Sequence, residues 1–234
     1  MRFCNQQKKK AFTLIYDDGV TQDIRFIELI NKYNLKCTFN LNSELLGKNG
    51  MLIREGKRIA HYKVQPCDVR EIYAGHEVAA HTLTHPMLTE QTDTEIIRQV
   101  AHDKENLEQL VGYEVVGMAY PGGGINYSSH VADVIRANTG IRYCRTTVDT
   151  DSFDLQENLY EFKPNVSHIN WDRMFSMAEE FVALKPDKPQ VFYVWGHSYE
   201  MDYDNSYWSR LEELFQLVAG REDIFYGTNA EVLL

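Results

Sequence analysis

The stretch that decides the fold is a short apolar run ending in two acids, Ala11-Phe-Thr-Leu-Ile-Tyr16-Asp17-Asp18-Gly19. Seven further runs rich in β-branched and aromatic residues follow it, at residues 36–42, 77–82, 115–120, 141–147, 160–167, 190–195 and 224–226. This length and composition are typical of β-strands. The chain therefore offers eight strand candidates.

Amphipathic stretches separate these runs. Apolar side chains at helical spacing predict helices over residues 23–33, 92–111, 129–137, 171–184 and 206–219. The alternation of strand and helix favours parallel strands covered by helices. We therefore predict an α/β fold, a distorted (β/α) barrel that is either complete or incomplete. Residues 43–74 do not follow the alternation and are predicted to be an inserted loop with short helices.

Length and net charge limit the number of domains and the kinds of partner. A chain of 234 residues suits one domain, so we predict a single domain over residues 1–234. The net charge of -10 argues against nucleic acid or an anionic membrane as main partner, because both require a basic surface. No stretch reaches the length of a membrane span. The sequence leaves the oligomeric state open.

The N-terminus and the cysteines bear on location. The start, MRFCNQQKKK, precedes an apolar run of six residues without a cleavage site for a leader peptide. We expect a cytoplasmic protein, or a secreted or cell-envelope protein if an export signal has been removed. Cys4, Cys37, Cys67 and Cys144 lack the paired spacing of a zinc site and are expected to be free thiols.

Most residues that suggest a catalytic or binding role follow directly after an apolar run. They are Asp17 and Asp18 after the first, His81 and His85 at the third, Pro121 and Gly122 after the fourth, Asp149 and Asp151 after the fifth, and His197 after the seventh. The carboxyl ends of parallel barrel strands share one face, where catalytic groups gather. These residues are therefore expected to converge in one cleft.

Two histidines and an acid suggest a metal site. His81 and His85 are four residues apart and can bind one ion if the segment turns helically. Pro86 disfavours helical geometry at His85, so a tight loop is the alternative. Two imidazoles and one carboxylate leave coordination positions open, the pattern of a catalytic site.

The adjacent acids Asp17 and Asp18 can divide two tasks. One can bind a metal while the other takes a proton from water; the alternative is a simple Asp-Gly turn. His197 is a candidate general acid, or else a hydrogen-bonded core histidine. A nearby carboxylate would favour its charged form, and Asp149, Asp151 and Asp154 are all available for that.

In this order, the motifs resemble those of the polysaccharide deacetylase (NodB-like) family, carbohydrate esterase family 4, from about residue 11 to the C-terminus. The resemblance implies that Asp17 is the catalytic base and that Asp18, His81 and His85 hold a divalent metal. Zinc is the first expectation, with Co²⁺, Ni²⁺ or Mn²⁺ as alternatives. The fifth motif of the family, a strand leading to a histidine, matches the segment that ends at His197.

Two motifs depart from the family pattern. The third usually contains an arginine that steadies the base, and Ala119 stands at that position here. The following loop, Tyr120, Pro121 and Gly122, is expected to contact substrate, with a backbone N–H near Gly122 helping to hold the oxyanion. The fourth motif is usually an Asp followed by Trp; that Trp is missing, so the acid that orients His197 stays open.

The resemblance implies a hydrolase that removes an N- or O-acetyl group from a carbohydrate, which is the expected partner. One alternative is a hydrolase of cyclic amides on the same fold, in some cases without a metal. Another is a non-catalytic carbohydrate-binding protein with a stacking surface, formed by Trp171, Tyr199, Tyr203, Tyr207 and Trp208.

Several polar residues have no assigned task at this stage. His168 lies at a predicted strand end and is expected either to line the groove or to be structural, and Glu200 lies three residues after His197. The remaining histidines, His61, His76, His102 and His130, are expected at surface or helix positions.

Overall fold

The computed structural model describes residues 8–234; Cys4 lies outside them. The strands are β1 (Lys10–Asp17), β2 (Cys37–Leu41), β3 (Asn49–Arg54), β4 (Lys57–Tyr62), β5 (Glu77–Ala80), β6 (Gly117–Ala119), β7 (Tyr143–Arg145), β8 (Val166–Ser167), β9 (Gln190–Gly196) and β10 (Ile224–Tyr226). The helices are α1 (Gln22–Lys32), α2 (Val69–Ile72), α3 (Asp93–Val111), α4 (Ser129–Asn138), α5 (Trp171–Ala183), α6 (Tyr207–Val218) and α7 (Asn229–Leu233).

Eight of the strands form one parallel sheet. Their order is β7-β6-β5-β2-β1-β9-β8, and β10 pairs with the beginning of β1. The two edges approach each other through a single bridge between Arg145 and Phe162. The sheet therefore curves into an incompletely closed barrel, which confirms the predicted fold.

The predicted helices form because their apolar faces pack against this sheet, and in α3 and α4 a side chain also caps the N-terminus. In α3, the side chain of Thr92 accepts a hydrogen bond from the N–H of Glu95, and Gly112 ends the helix at a φ of 81°. Among the predicted strands, 160–167 shrinks most, to β8. Pro164 interrupts it because proline has no N–H to donate to a neighbouring strand.

The inserted segment 43–74 differs from the prediction. Its second part contains short helices as predicted, among them α2, but its first part is an antiparallel hairpin of β3 and β4 instead of a loop. Glu55 and Gly56 both adopt positive φ, 50° and 77°, as a two-residue hairpin turn of type I′ requires. Glutamate is unusual in such a turn, so the sequence alone does not predict a hairpin here.

The hairpin is attached to the loop that follows β1. Val20 forms an antiparallel bridge with Lys63. The N–H of Thr21 donates to the carbonyl of Tyr62 (2.8 Å), and that of Val64 donates to the carbonyl of Gly19 (2.9 Å). The hairpin therefore forms one wall beside the carboxyl end of β1. No helix within residues 8–234 is both long and apolar enough to span a membrane.

Candidate active site

Asp18, His81 and His85 come together at the carboxyl ends of β1 and β5. Each offers one ligand atom, and these atoms lie within 4.8 Å of one another. Two imidazoles and a carboxylate are a donor set that suits zinc and similar divalent ions. The three residues therefore fit the metal centre that the sequence predicts.

The backbone around these ligands is strained. Asp18, Thr82 and His85 adopt left-handed φ values of 85°, 69° and 62°. Such conformations cost about 1–3 kcal/mol each and cluster at functional sites. The segment from His81 to His85 is thus a tight loop rather than a helical turn, the geometry that Pro86 favours.

Polar contacts hold this loop in place. The amide of Asn42 donates to the carbonyls of His81 (2.5 Å) and Thr82 (2.9 Å). The carboxylate of Asp103 accepts from the N–H of His81 (2.9 Å). The N–H of His85 donates to the hydroxyl of Thr82 (3.1 Å). The strained geometry is therefore fixed by the surrounding structure.

His81 is oriented for metal binding. Its Nδ1 lies 2.9 Å from the carbonyl oxygen of Ala119. Donation of Nδ1–H to this carbonyl leaves the lone pair of Nε2 facing the other ligands. Burial lowers the pKa of His81 to about 4, so the ring is neutral at pH 7, as a metal ligand must be.

Asp18 is surrounded by cationic and hydrogen-bonding groups from the hairpin. Nε2 of His61 lies 3.1 Å from its carboxylate, and Nζ of Lys63 donates to its carbonyl (2.6 Å). Burial raises the pKa of Asp18, but the hydrogen bond from His61 and the charge of Lys63 outweigh it and hold this pKa well below its usual range. The expected surface position of His61 was therefore wrong.

Asp17 lies beside the ligands, buried and ionised. Nδ2 of Asn40 donates to one carboxylate oxygen (2.8 Å), and a guanidinium N–H of Arg145 donates to the other. Burial raises the pKa of Asp17, but the positive charge of Arg145 opposes this, and the net result is a lowered pKa. The carboxylate is thus available to accept a proton.

Arg145 is a candidate site residue that the sequence prediction missed. In the register of β6 and β7 it lies directly beside Ala119, which stands at the position of the family arginine. The guanidinium of Arg145 also lies over the ring of Trp195, 4.8 Å from the ring centroid. The sequence offered one signal, a cation within a predicted strand. Arg145 is two residues from Tyr143, so the two side chains lie on the same face of the sheet.

His197 faces Asp17 across the cleft and is held by Glu200. Its Nε2 is 3.9 Å from Asp17, and its Nδ1 is 3.1 Å from the carboxylate of Glu200. Burial lowers the pKa of His197, but the charge of Glu200 outweighs it and raises this pKa to about 9. The ring is therefore an imidazolium at neutral pH, as a proton donor requires.

A second histidine lies beneath this pair. His168 is fully buried, with Nε2 2.7 Å from Glu200 and Nδ1 2.6 Å from the hydroxyl of Tyr16. These contacts hold the carboxylate of Glu200 in place. His168 is thus a supporting residue and does not line the cleft.

The aspartates expected to orient His197 are engaged elsewhere, and that expectation was wrong. Asp149 accepts from Nε1 of Trp195 (2.9 Å), Asp151 pairs with Arg173, and Asp154 pairs with Lys188 (2.8 Å). Glu200 takes this role because a 3₁₀ turn after His197 brings residues three positions apart onto one side.

A cleft of about 450 Å³ contains Asp17, the three candidate ligands and His197. Tyr120 and Gly122 also line it, whereas Pro121 does not. The hydroxyl of Tyr120 donates to the carbonyl of Tyr160 (2.8 Å) and is therefore already engaged within the protein. The N–H of Gly122 makes no hydrogen bond within the described part of the chain, which leaves it free for a ligand.

The other expectations are partly met. Trp171 and Trp208 are buried in the core, so the five aromatic residues do not form one stacking surface, although Tyr199 lines the cleft. His76 is buried, and its Nδ1 accepts from the N–H of Cys37 (3.3 Å), whereas His102 and His130 are exposed as expected. Cys37, Cys67 and Cys144 are free thiols.

Residues 5–143 match the family model for polysaccharide deacetylase. This match spans more than half of the chain, which therefore belongs to the polysaccharide deacetylase family.

Curated relatives are distant in sequence. The chain is 25% identical over 146 residues to the peptidoglycan-N-acetylglucosamine deacetylase PgdA of Listeria monocytogenes, covering 62% of this chain and 27% of that protein. It is 26% identical over 120 residues to the peptidoglycan-N-acetylmuramic acid deacetylase PdaC of Bacillus subtilis, covering 50% and 22%. The chain thus spans about a quarter of the length of these relatives.

Solved structures agree in fold. A protein described as a polysaccharide deacetylase from Mycobacterium smegmatis has a TM-score of 0.67 at 15% identity, covering 97% of this chain and 89% of that one. A T48 deacetylase with substrate has a TM-score of 0.61 at 16% identity, covering 97% and 92%. A carbohydrate esterase family 4 pseudoenzyme, BA3943 of Bacillus anthracis, has a TM-score of 0.58 at 16% identity, covering 97% and 66%.

Proposed function

We propose that this protein is a metal-dependent deacetylase that hydrolyses an N- or O-acetyl group of a carbohydrate. One observation carries the proposal. A possible metal-binding cluster of Asp18, His81 and His85 lies in one cleft with a separate ionised acid, Asp17, and an opposing imidazolium, His197. A base, an acid and a Lewis-acid site around one cavity are the groups that acyl hydrolysis needs.

Asp18, His81 and His85 would hold the cation, with zinc the first choice and Co²⁺, Ni²⁺ or Mn²⁺ as alternatives. When bound, such an ion supplies Lewis acidity, which lowers the pKa of water and polarises a carbonyl. His61 and Lys63 would steady Asp18 from the hairpin side. Three protein donors would leave further coordination positions of the ion for water and substrate.

The proton transfers divide between two side chains. The oxygen of water bonds to the acetyl carbon while Asp17 accepts its proton, with Arg145 and Asn40 holding the carboxylate. The N–H of Gly122 donates to the developing oxyanion. As the bond from carbon to the sugar nitrogen or oxygen breaks, His197 protonates the leaving atom, and acetate is released.

The names of the relatives suggest a class of substrate. PgdA and PdaC are named as deacetylases of peptidoglycan sugars, so an acetylated wall glycan is our first candidate, ahead of chitin-like oligomers and acetylated xylan. A wall glycan would require the protein to act outside the cytoplasm. A small soluble amino sugar would agree with the cytoplasmic location expected from the sequence.

The test is acetate release from a panel of acetylated glycans, measured before chelation, after chelation and after return of Zn²⁺. We expect release that chelator abolishes and metal restores, together with about one equivalent of bound metal. Full activity without metal, with cyclic amides as better substrates, would favour the cyclic-amide alternative. A protein that binds glycans and metal but releases no acetate would be the binding protein.

A further inference from the structure

The hairpin carries a charge opposite to that of the whole chain. Residues 48–63 contain five cationic side chains, Lys48, Arg54, Lys57, Arg58 and Lys63, against one acid, Glu55. The chain as a whole has a net charge of -10. Neither solubility nor folding of an acidic protein requires such a concentration of positive charge on one element, and a local field of this kind attracts anions.

A second cavity, of about 370 Å³, opens between this hairpin and the metal cluster. It shares Asp18, Arg54, His85 and Tyr199 with the first cleft, so the two are continuous past the candidate ligands. We call it the hairpin pocket. A glycan with its acetyl group at the metal cluster would place an adjoining substituent or sugar unit there.

The cations of the hairpin pocket are available to a ligand. Asp18 is the sole carboxylate that lines it, and this acid is engaged by His61 and Lys63. Lys48 and Arg54 also line it, and neither has a carboxylate within 4.0 Å in the part of the chain from residue 8 onward. Within residues 8–234, the side chain of Arg54 makes one hydrogen bond, from Nε to the hydroxyl of Tyr203 (3.3 Å), which holds the side chain and leaves its terminal N–H groups free there.

We propose that the hairpin pocket binds an anionic group of the substrate, so that this protein acts on acidic acetylated carbohydrates. The inference rests on the proposed deacetylase function. Arg54 is the principal contact, because a guanidinium binds a carboxylate or a phosphate through two parallel hydrogen bonds. Lys48 adds a second positive charge, and Tyr199 borders the passage between the two cavities.

The experiment compares three tetrasaccharides with the metal-loaded protein: neutral N-acetylglucosamine tetramer, the alternating tetramer with N-acetylmuramic acid, and the neutral tetramer carrying a terminal phosphate. Binding is measured by calorimetry and deacetylation by acetate release. We expect at least one acidic tetramer to bind and react better than the neutral one. The carboxylate and phosphate arms show which anion the pocket takes.

Variants tie this preference to the pocket. Arg54→Gln should reduce the ratio of kcat/KM for the preferred acidic tetramer to that for the neutral one by about tenfold, the effect of one charge-assisted pair. Arg54→Lys should retain part of the ratio. Arg58→Gln removes a charge from the same hairpin outside the pocket and is the matched control, which should keep the ratio within about twofold because distant surface charges are screened.

The outcomes separate the two proposals. Equal use of acidic and neutral tetramers, or a preference that Arg54→Gln and Arg58→Gln reduce equally, would overturn the anion site and leave the deacetylase function standing. A protein that releases no acetate but binds an acidic tetramer through Arg54 would contradict the deacetylase function and support the anion site.

Discussion

The two sides of the cleft follow the family pattern to different degrees. On the β1–β5 side, Asp17, Asp18, His81 and His85 lie where consecutive motif residues place them. On the β6–β9 side, the guanidinium comes from the strand next to the one expected, and the acid beneath His197 comes from the turn that follows it. Asp17 and His197 each have a charged partner, Arg145 and Glu200. What differs from the family pattern is the position in the sequence from which these partner residues come.

The difference between the two sides matters for activity, because one structural neighbour with the same fold is a pseudoenzyme. Fold alone therefore does not decide whether the relocated groups work. Four substitutions test the two sides, from the largest expected effect to the smallest.

On the β1–β5 side, His81→Ala should lower kcat by about 10³-fold or more, because loss of a metal ligand removes a transition-state contact as well as the ion. Metal content, measured by emission spectroscopy, should fall in parallel. His102→Ala, at an exposed position of α3, is the control and should change neither quantity. Full metal content and full activity in His81→Ala would show that His81 is not a metal ligand.

On the β6–β9 side, Arg145→Ala should lower kcat by about 10²-fold, because Asp17 loses the buried pair that holds it. The double variant Ala119→Arg/Arg145→Ala returns a guanidinium from the neighbouring strand and should recover part of this loss. Comparison of kcat for the two variants is the measurement. If the double variant recovers nothing while circular dichroism shows it to be folded, the two positions are not interchangeable.

Glu200→Gln should lower kcat by about tenfold and move its alkaline limit to lower pH. The charge of Glu200 raises the pKa of His197 to about 9. Without that charge the imidazolium loses its proton at a lower pH, so the proton donor is lost earlier as pH rises. Asp149→Asn is the control, because Asp149 bonds Trp195 instead. An unchanged pH profile in Glu200→Gln would separate Glu200 from the donor.

Gly122→Ala should lower kcat/KM by about three- to fivefold, close to 1 kcal/mol. The position has a φ of 82°, and an added Cβ would lie 2.2 Å from the sulfur of Met87, so the loop must shift. Gly123→Ala is a matched control, since nothing lies within 4 Å of its added Cβ. Equal rates in both variants would argue against an oxyanion contact at Gly122.

The β1–β5 side could be predicted because its groups are close together in sequence. Two adjacent acids and a pair of histidines four residues apart can be recognised as candidate site residues without knowledge of the strand order. The barrel was equally accessible, because β1, β2, β5 and β9 are buried strands whose composition alone marks them.

Arg145 and His61 could not be predicted in the same way. Arg145 reaches Asp17 from 128 positions away, through a register that places it beside Ala119. His61 reaches Asp18 because β4 is bridged to the loop after β1. Both contacts depend on which residues of two strands face each other, and a single sequence does not state that pairing.

The pairing of Ala119 with Arg145 bears on how members of this family are classified across genomes. A motif compared as a linear string finds Ala119 where arginine is expected and does not detect Arg145 on the neighbouring strand. Measured in three dimensions, the charge has moved sideways by one strand spacing, roughly 4.8 Å. The absence of a cation beside the carboxylate of Asp17 would therefore be better evidence of inactivity than a missing residue in the linear motif.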